Sequence, residues 1–557
     1  MINYDALGIK PYGKTPNERQ LEWYSREKMI FFHFGMNTFT GKEWGDGTEN
    51  PLLFNPTELD TDQWLKAVSA AGFKCAILTA KHHDGFCLWP TKYTEHSIKN
   101  SPYKNGKGDV VREFVDSCRK YGVKAGIYLS PWDRHEKTWG KDEYNDFYVG
   151  QLTELLTGYG EIHEVWWDGA GSTEAVYDWE RWARTVRTLA PNAVIFGSLG
   201  ATPWVDVRWV GNEKGIAGKP CYATIDKSSL VYEITSELNA GKIGGDSFIP
   251  AEVDVSIRPG WFYHSEQDSD VRTPNNLIDL YFSSNGSNAG LLLNLPPDKR
   301  GLIHESDVAS LLRFNEILTK STENNLAMGA TVSASSEMDS APAANILLSD
   351  DTVYAPKNGD VCPEITLLLE KEIEFNSFEI KEAIELGHKI TDIEICAKVN
   401  GKWQTLSRGK CVGYRLAEKF DAVRSDEIKI KIHSALDTPV IKYFGLYKFE
   451  LEKELLTDTE RVNLAARDIA KIDILPNEID VNFGGVYSFD SIKVTGIEKC
   501  KYQLEIFNGT SFETYMNGES GKDEIFISLD TPIDWAYRIK LTFIDTSTNK
   551  NMKIEIY

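Results

Sequence analysis

The sequence lacks the features that would point to a zinc ribbon, a membrane span or a nucleic-acid partner. Its eight cysteines (Cys75, Cys87, Cys118, Cys221, Cys362, Cys396, Cys411 and Cys500) contain no CxxC pair. Neither a zinc site nor a disulfide scaffold is indicated, and the thiols read as mostly buried and free. No apolar run approaches the roughly 20 residues that a spanning helix needs. The opening stretch MINYDALGIKPYGKTP has no apolar core of a secretory leader, so the chain as given is expected in the cytoplasm, or outside it if a leader was trimmed. Positive charge is scarce, with 61 Lys and Arg against 83 Asp and Glu for a net charge of -22. Phosphate backbones and anionic bilayers repel such a chain. No nucleic-acid or membrane partner is expected, and a neutral ligand is left open.

What is present is a chain of 557 residues, long enough for two to four domains. Fifteen tryptophans and 24 tyrosines suit the flat apolar faces of sugars, and equally suit large aromatic cores. Up to about residue 320, continuous apolar runs alternate with amphipathic segments: KMIFFHFG (28–35), TDQWLKAVSAAGF (61–73), KCAILTAKHH (74–83), DVVREFVDSCRKYG (109–122), VKAGIYLSPWD (123–133), a helix through 142–157, EVWWDG (164–169), a helix through 175–190 and AVIFGS (193–198). Residues 199–272 read as irregular. A helix (273–288), the strand AGLLLNLPP (289–297) and a closing helix (304–321) follow. Apolar strands alternating with amphipathic helices predict a parallel sheet covered on both faces. The strand count favours an α/β fold, a (β/α)8-like barrel, over a dinucleotide fold, because HFGMNTF after the first strand is not a glycine-rich phosphate turn. From about 323 the pattern changes to short alternating strands, which predicts one or two C-terminal β-sandwich domains. The expected division is 1–322, 323–455 and 456–557.

Catalysis in such barrels sits at the C-terminal ends of the strands. Polar residues fall there in register: His33, His82 with His83, Tyr128 and Asp168, spaced 49, 46 and 40 residues apart. His33 between two phenylalanines has an alternative as a satisfied core histidine, and KHHDGF (81–86) as a simple turn closed by Asp84. Parity places Trp166 on the same side as Asp168. Asp168 has the alternative of capping the next helix, although Ser172 and Thr173 lie nearer a start at about 174. Two chemistries remain open for it. Histidines and an aspartate at barrel ends also suit a metal-dependent hydrolase, but the HxH pair usual on its first strand is absent. A carboxylate pair suits glycoside hydrolysis, and Glu213 in DVRWVGNEKG (206–215), 45 residues beyond Asp168, supplies the second acid; it also reads as an exposed loop glutamate.

Taken together, FFHFGMNTFTGKEWG, TAKHHDGFCLWPTKYTEHS, GIYLSPWDRH and EVWWDGAG resemble the catalytic barrel of the family 29 glycoside hydrolases, the retaining α-L-fucosidases, over about residues 10–320. The resemblance implies Asp168 as the nucleophile. It implies fucose contacts at His33, Glu43, Trp44, His82, His83, Tyr128 and Trp166. RWVGNE and EVDVSIRPGWFYH (252–264) resemble the bacterial branch specific for α-1,3 and α-1,4 linkages of Lewis-type glycans, which implies Glu213 as acid/base and Arg258 and Trp261 in the sugar pocket. No cofactor and no metal are implied. The partner is a fucosylated oligosaccharide, and the expected state is a monomer or weak homo-oligomer. NNLAMGATVSASS (324–336) resembles the opening of discoidin-like, carbohydrate-binding sandwiches, with a buttressing role favoured. A fucose-binding barrel without activity is the remaining alternative.

Overall fold

A computed structural model describes residues 2–557 except 171–174, 199, 230–234, 349–351, 453–462, 467–469, 508–511, 521–522 and 545–551. The chain groups into two compact units, Met1–Ile257 with Val271–Glu452, and Arg258–Asp270 with Lys453–Tyr557.

In the first unit, eight parallel strands close into a barrel: β1 (Lys28–Phe32), β2 (Cys75–Lys81), β3 (Lys124–Leu129), β4 (Glu164–Trp167), β5 (Val194–Gly197), β6 (Val207–Trp209), β7 (Ala251–Ser256) and β8 (Gly290–Asn294), with β8 pairing β1. The helices are α1 (Glu18–Arg26), α2 (Met36–Thr40), α3 (Thr61–Ala70), α4 (Val110–Tyr121), α5 (Glu143–Gly158), α6 (Trp179–Leu189), α7 (Ser236–Ala240), α8 (Pro274–Ser283) and α9 (Glu305–Thr322). The expected barrel is observed. One expectation is corrected: the stretch read as irregular, 199–272, contains β6 and β7. A short 3-10 turn, Thr202–Trp204, stands where a helix would join β5 to β6.

Local chemistry explains the helix bounds. Asp60 and Asp109 cap α3 and α4 through their side chains, and Gly122, at φ 67°, ends α4. On α6 the buried positions Trp179, Trp182, Ala183 and Val186 follow helical spacing, and Trp182 stacks on Tyr148 of α5 at 3.8 Å. A fully buried side chain of valine size or larger contributes about 1.5–3 kcal/mol by leaving water. The cap of α6 is Asp178, which accepts from Arg181 N, so the helix starts later than expected; Ser172 and Thr173 lie outside the described residues.

The barrel lumen is filled by aromatic rings over a polar floor. Trp166 stacks on Phe196 at 4.0 Å and lies 5.1 Å from Phe31. Below them the fully buried Glu252 accepts from Trp166 Nε1 at 2.9 Å and Trp23 Nε1 at 3.0 Å. Arg26 binds the neighbouring Glu164 at 2.6 Å. Burial pushes the pKa of both glutamates up, against the charge of the neighbouring Arg26.

Also in the first unit, a six-stranded antiparallel sheet spans Thr331–Ala334 to Ile441–Tyr447 around its own apolar core. It packs on the barrel. Tyr414 stacks on Tyr24 at 4.7 Å, and Phe449 meets Phe282 at 5.1 Å. Arg415 reaches Glu27 at 2.8 Å and Glu379 at 2.7 Å. In the second unit another six-stranded antiparallel sheet runs from Lys471–Leu475 to Lys553–Ile556. The segment 258–270 belongs with it, Gln267 Nε2 donating to Tyr487 at 3.2 Å.

Candidate active site

The C-terminal ends of β1 to β4 bring five side chains together. On β1, Phe31 and His33 share the lumen side, their rings 4.5 Å apart, while Phe32 packs outward on Trp64 at 5.1 Å. Past β2 the chain bends at Asp84, whose Oδ1 accepts from Phe86 N at 2.7 Å, and at Gly85, φ 77°. On a regular strand His82 and His83 would face opposite ways. The bend sets their rings 4.0 Å apart. His33 lies 5.7 Å from His82, and Tyr128 stacks 5.7 Å from His82.

Asp168 follows β4 directly. Its Oδ1 accepts from Ala170 N at 2.8 Å, closing a local turn, and its Oδ2 accepts from Tyr128 Oη at 3.0 Å. His83 Nε2 stands 3.7 Å from the same Oδ2. The carboxylate therefore does not cap α6. It is about a quarter exposed, 26%, and offers an oxygen to the mouth of the barrel. Trp167 turns to the helices, packing 5.4 Å from Trp179, and Trp166 to the lumen, as parity predicts.

Each imidazole is held by a group that sequence reasoning missed. Asn294, at the end of β8, lies 2.9 Å from His33 Nδ1. Ser130 lies 2.8 Å from His83 Nδ1. Asn37 on α2 lies 3.3 Å from His82 Nδ1 and donates to the carbonyl of Glu43 at 2.9 Å. Burial lowers His33 to about 3 and His83 to about 4, and drops His82 well below its ordinary value. Neutral imidazoles result, able to donate and accept toward hydroxyl groups.

The remaining expected residues are placed as follows. Glu43 is half-buried, and Trp44 is 57% exposed with its ring edge-on to His83 at 5.8 Å. Glu213 lies exposed in the loop four residues after β6, between Gly211 and Gly215, both at positive φ. Its charge reaches the buried Asp254 of β7, which burial first and Glu213 second push well above the usual carboxylate range. Trp209 Nε1 donates to that same Asp254 at 2.8 Å. Two strand spacings, roughly 10 Å along the sheet, separate β4 from β6. Arg258 and Trp261 belong to the second unit, where Arg258 pairs with Asp268 at 2.8 Å and lies over Tyr263. Among the described residues, no group of three or more His, Cys, Asp or Glu side chains is arranged to hold a metal ion.

A parallel barrel whose mouth gathers neutral imidazoles, a tyrosine, tryptophans and a carboxylate is the frame of a carbohydrate-active enzyme. Comparison with known proteins agrees. Residues 10–323 match the family model described as alpha-L-fucosidase. Alpha-L-fucosidase 1 of Arabidopsis thaliana is 41% identical over 451 residues, 78% of this chain and 88% of that protein. A glycoside hydrolase 29 family member from an unknown rumen bacterium is 31% identical, covering 98% of this chain and 100% of its own, with a TM-score of 0.73. A family 29 fucosidase of Ruminococcus gnavus, solved in complex with fucose, is 32% identical over 79% of this chain and 96% of its own, with a TM-score of 0.73. The chain belongs to the α-L-fucosidase family, glycoside hydrolase family 29. It is an α-L-fucosidase.

Proposed function

We propose that the chain is a retaining α-L-fucosidase acting on terminal α-1,3- and α-1,4-linked L-fucose in branched, Lewis-type oligosaccharides. The observation that carries the mechanism is the pose of Asp168, one oxygen tied back to Ala170 N and the other presented beside Tyr128 and His83. Asp168 Oδ2 attacks the anomeric carbon as the glycosidic C–O bond breaks. Glu213, protonated, gives its proton to the departing oxygen, and a fucosyl ester forms on Asp168. Glu213 then takes a proton from water, which attacks the same carbon and frees Asp168, so the configuration is kept overall.

His33, His82, His83 and Glu43 take the ring hydroxyls in this reading. Trp44 and Trp166 wall the apolar side of the 6-deoxy sugar. Arg258 and Trp261 are proposed pocket residues on the resemblance of their motif alone, as is the linkage preference. The sheet of residues 331–447 serves as a buttress, supported by its aromatic and ionic contacts with the barrel.

The test is to incubate the protein with Lewis a, Lewis x, 2'-fucosyllactose and an aryl fucoside, with and without chelator, and to follow product anomers by NMR. Release of the α-anomer first, from the two Lewis glycans and not from 2'-fucosyllactose, and indifferent to chelator, supports the proposal. Release of the β-anomer first overturns the retaining mechanism, and equal cleavage of all four substrates overturns the linkage assignment. Loss with chelator, restored by zinc or manganese, favours a metal-dependent hydrolase.

A further inference from the structure

Trp44 raises a physical question. It is 57% exposed, and the ring contacts that hold it at the mouth are edge-on, 5.8 Å from His83 and 5.6 Å from Trp132. Such contacts are each worth about 0.5–1.5 kcal/mol, too little to fix a large side chain on an open loop. The loop itself must be held.

The loop after β3 does this. Arg134 Nη1 donates to the carbonyl of Gly45, the residue after Trp44, at 2.7 Å. His135 Nδ1 donates to the carbonyl of Gly47, also at 2.7 Å. Arg134 N donates to the carbonyl of His83 at 2.9 Å, and the guanidinium lies over the Trp132 ring at 5.2 Å. Trp132 is itself 5.0 Å from His83. One arginine thus joins Trp44, Trp132 and His83.

The glycines confirm how closely the loops meet. A Cβ on Gly47, φ 84°, would lie 2.5 Å from the Arg134 carbonyl group, and one on Gly85 would lie 2.4 Å from Asp133 Oδ1. Asp133 is anchored by Lys81 at 2.8 Å, so it cannot retreat. Gly47 and His135, which meet at this joint, also line a cleft of about 530 Å3 with Glu49 and His96.

We propose that Arg134 is a positioning residue for sugar binding, acting through the Gly45 carbonyl and Trp132 to hold Trp44 over the pocket. The inference rests on the reading of Trp44 as a sugar contact. The experiment compares Trp44→Ala, Arg134→Met, Arg134→Lys and Gly47→Ala on an aryl fucoside, with free fucose as competitive inhibitor.

Arg134→Met is expected to raise KM and the fucose Ki together by about tenfold, the scale of one lost charge-assisted hydrogen bond, with kcat within about threefold. Arg134→Lys, which keeps the charge, should recover most of that loss. Gly47→Ala, which parts the loops without touching the guanidinium, should reproduce the KM effect. A raised KM in Trp44→Ala with unchanged KM in both Arg134→Met and Gly47→Ala overturns the proposal alone. Unchanged KM and Ki in Trp44→Ala overturn the reading of the site beneath it. If Arg134→Met does not fold, Gly47→Ala and Arg134→Lys decide between the same outcomes.

Discussion

Replacing Arg415 by Met tests how firmly the barrel leans on the sheet of residues 331–447. Its guanidinium is 5% exposed and donates to Glu379 and Glu27. Methionine fills much of the same volume but strands both carboxylates. Lys381 at 3.4 Å from Glu379 relieves one of them, so the cost falls mainly on Glu27. Burial opposes the Glu27 charge, yet Arg415 prevails and holds it at about 2 against an ordinary 4.5. At about 1.4 kcal/mol per pH unit this is worth about 3 kcal/mol at neutral pH, which agrees with the roughly 3–5 kcal/mol expected when one partner of a buried pair is removed.

The sign follows from the depressed acid. The contribution is present above pH 4.5 and is lost as pH falls through about 2. Urea unfolding followed by circular dichroism should therefore show Arg415→Met destabilised by about 3 kcal/mol at pH 7, with the gap to the parent narrowing at pH 3. The triple variant Arg415→Met, Glu27→Gln, Glu379→Gln should recover most of the loss, because no charge is left stranded. A single variant within about 1 kcal/mol of the parent at pH 7, or a triple no better than the single, would refute the reasoning.

Asp168→Ala should abolish turnover while keeping the fold and fucose binding, checked by calorimetry beside the kinetics, and full turnover would end the nucleophile assignment. Azide should restore Glu213→Ala on an activated aryl fucoside and yield fucosyl azide. Tyr128→Phe removes a hydrogen bond to a charged acceptor, worth about 1.5–3 kcal/mol, so kcat/KM should fall by about 10- to 150-fold with an unchanged circular dichroism spectrum. His83, lowered to about 4 from 6.5 mainly by burial, stays neutral in the fold while the unfolded chain takes up a proton. Stability from this site is complete above pH 6.5 and declines as pH falls toward 4; His83→Gln should flatten that part of the stability profile measured against the parent.

Much of the barrel was legible because its strands are buried on both faces and so read as unbroken apolar runs. β6 and β7 escaped for the opposite reason. β6 has only three residues. β7, AEVDVS, points Glu252 and Asp254 inward, where both are buried, and Val253 and Val255 into apolar clusters. An alternating acid–valine pattern looks like a half-exposed strand, and the tryptophan donors Trp166, Trp23 and Trp209 that help to satisfy its buried acids lie 45 to 229 residues away. At the site, the histidines announced themselves by landing at successive strand ends. Their partners did not, since an asparagine after LLL or a serine after YL is common at any strand end, and Asn294 meets His33 across 261 residues. The one available signal was position: Ser130 and Asn294 also sit where strands end.

Gly45, Gly47 and Gly85 leave no room for a side chain between the loops that follow β1, β2 and β3. Those loops therefore constrain one another's backbone paths. A chimera that took any one of them from a relative would set a foreign backbone against two resident ones within a few ångströms, and would misplace aromatic rings on neighbours it never altered. Recombination or directed evolution aimed at new leaving groups should therefore exchange the three loops together, with Arg134 and His135 travelling as part of the set.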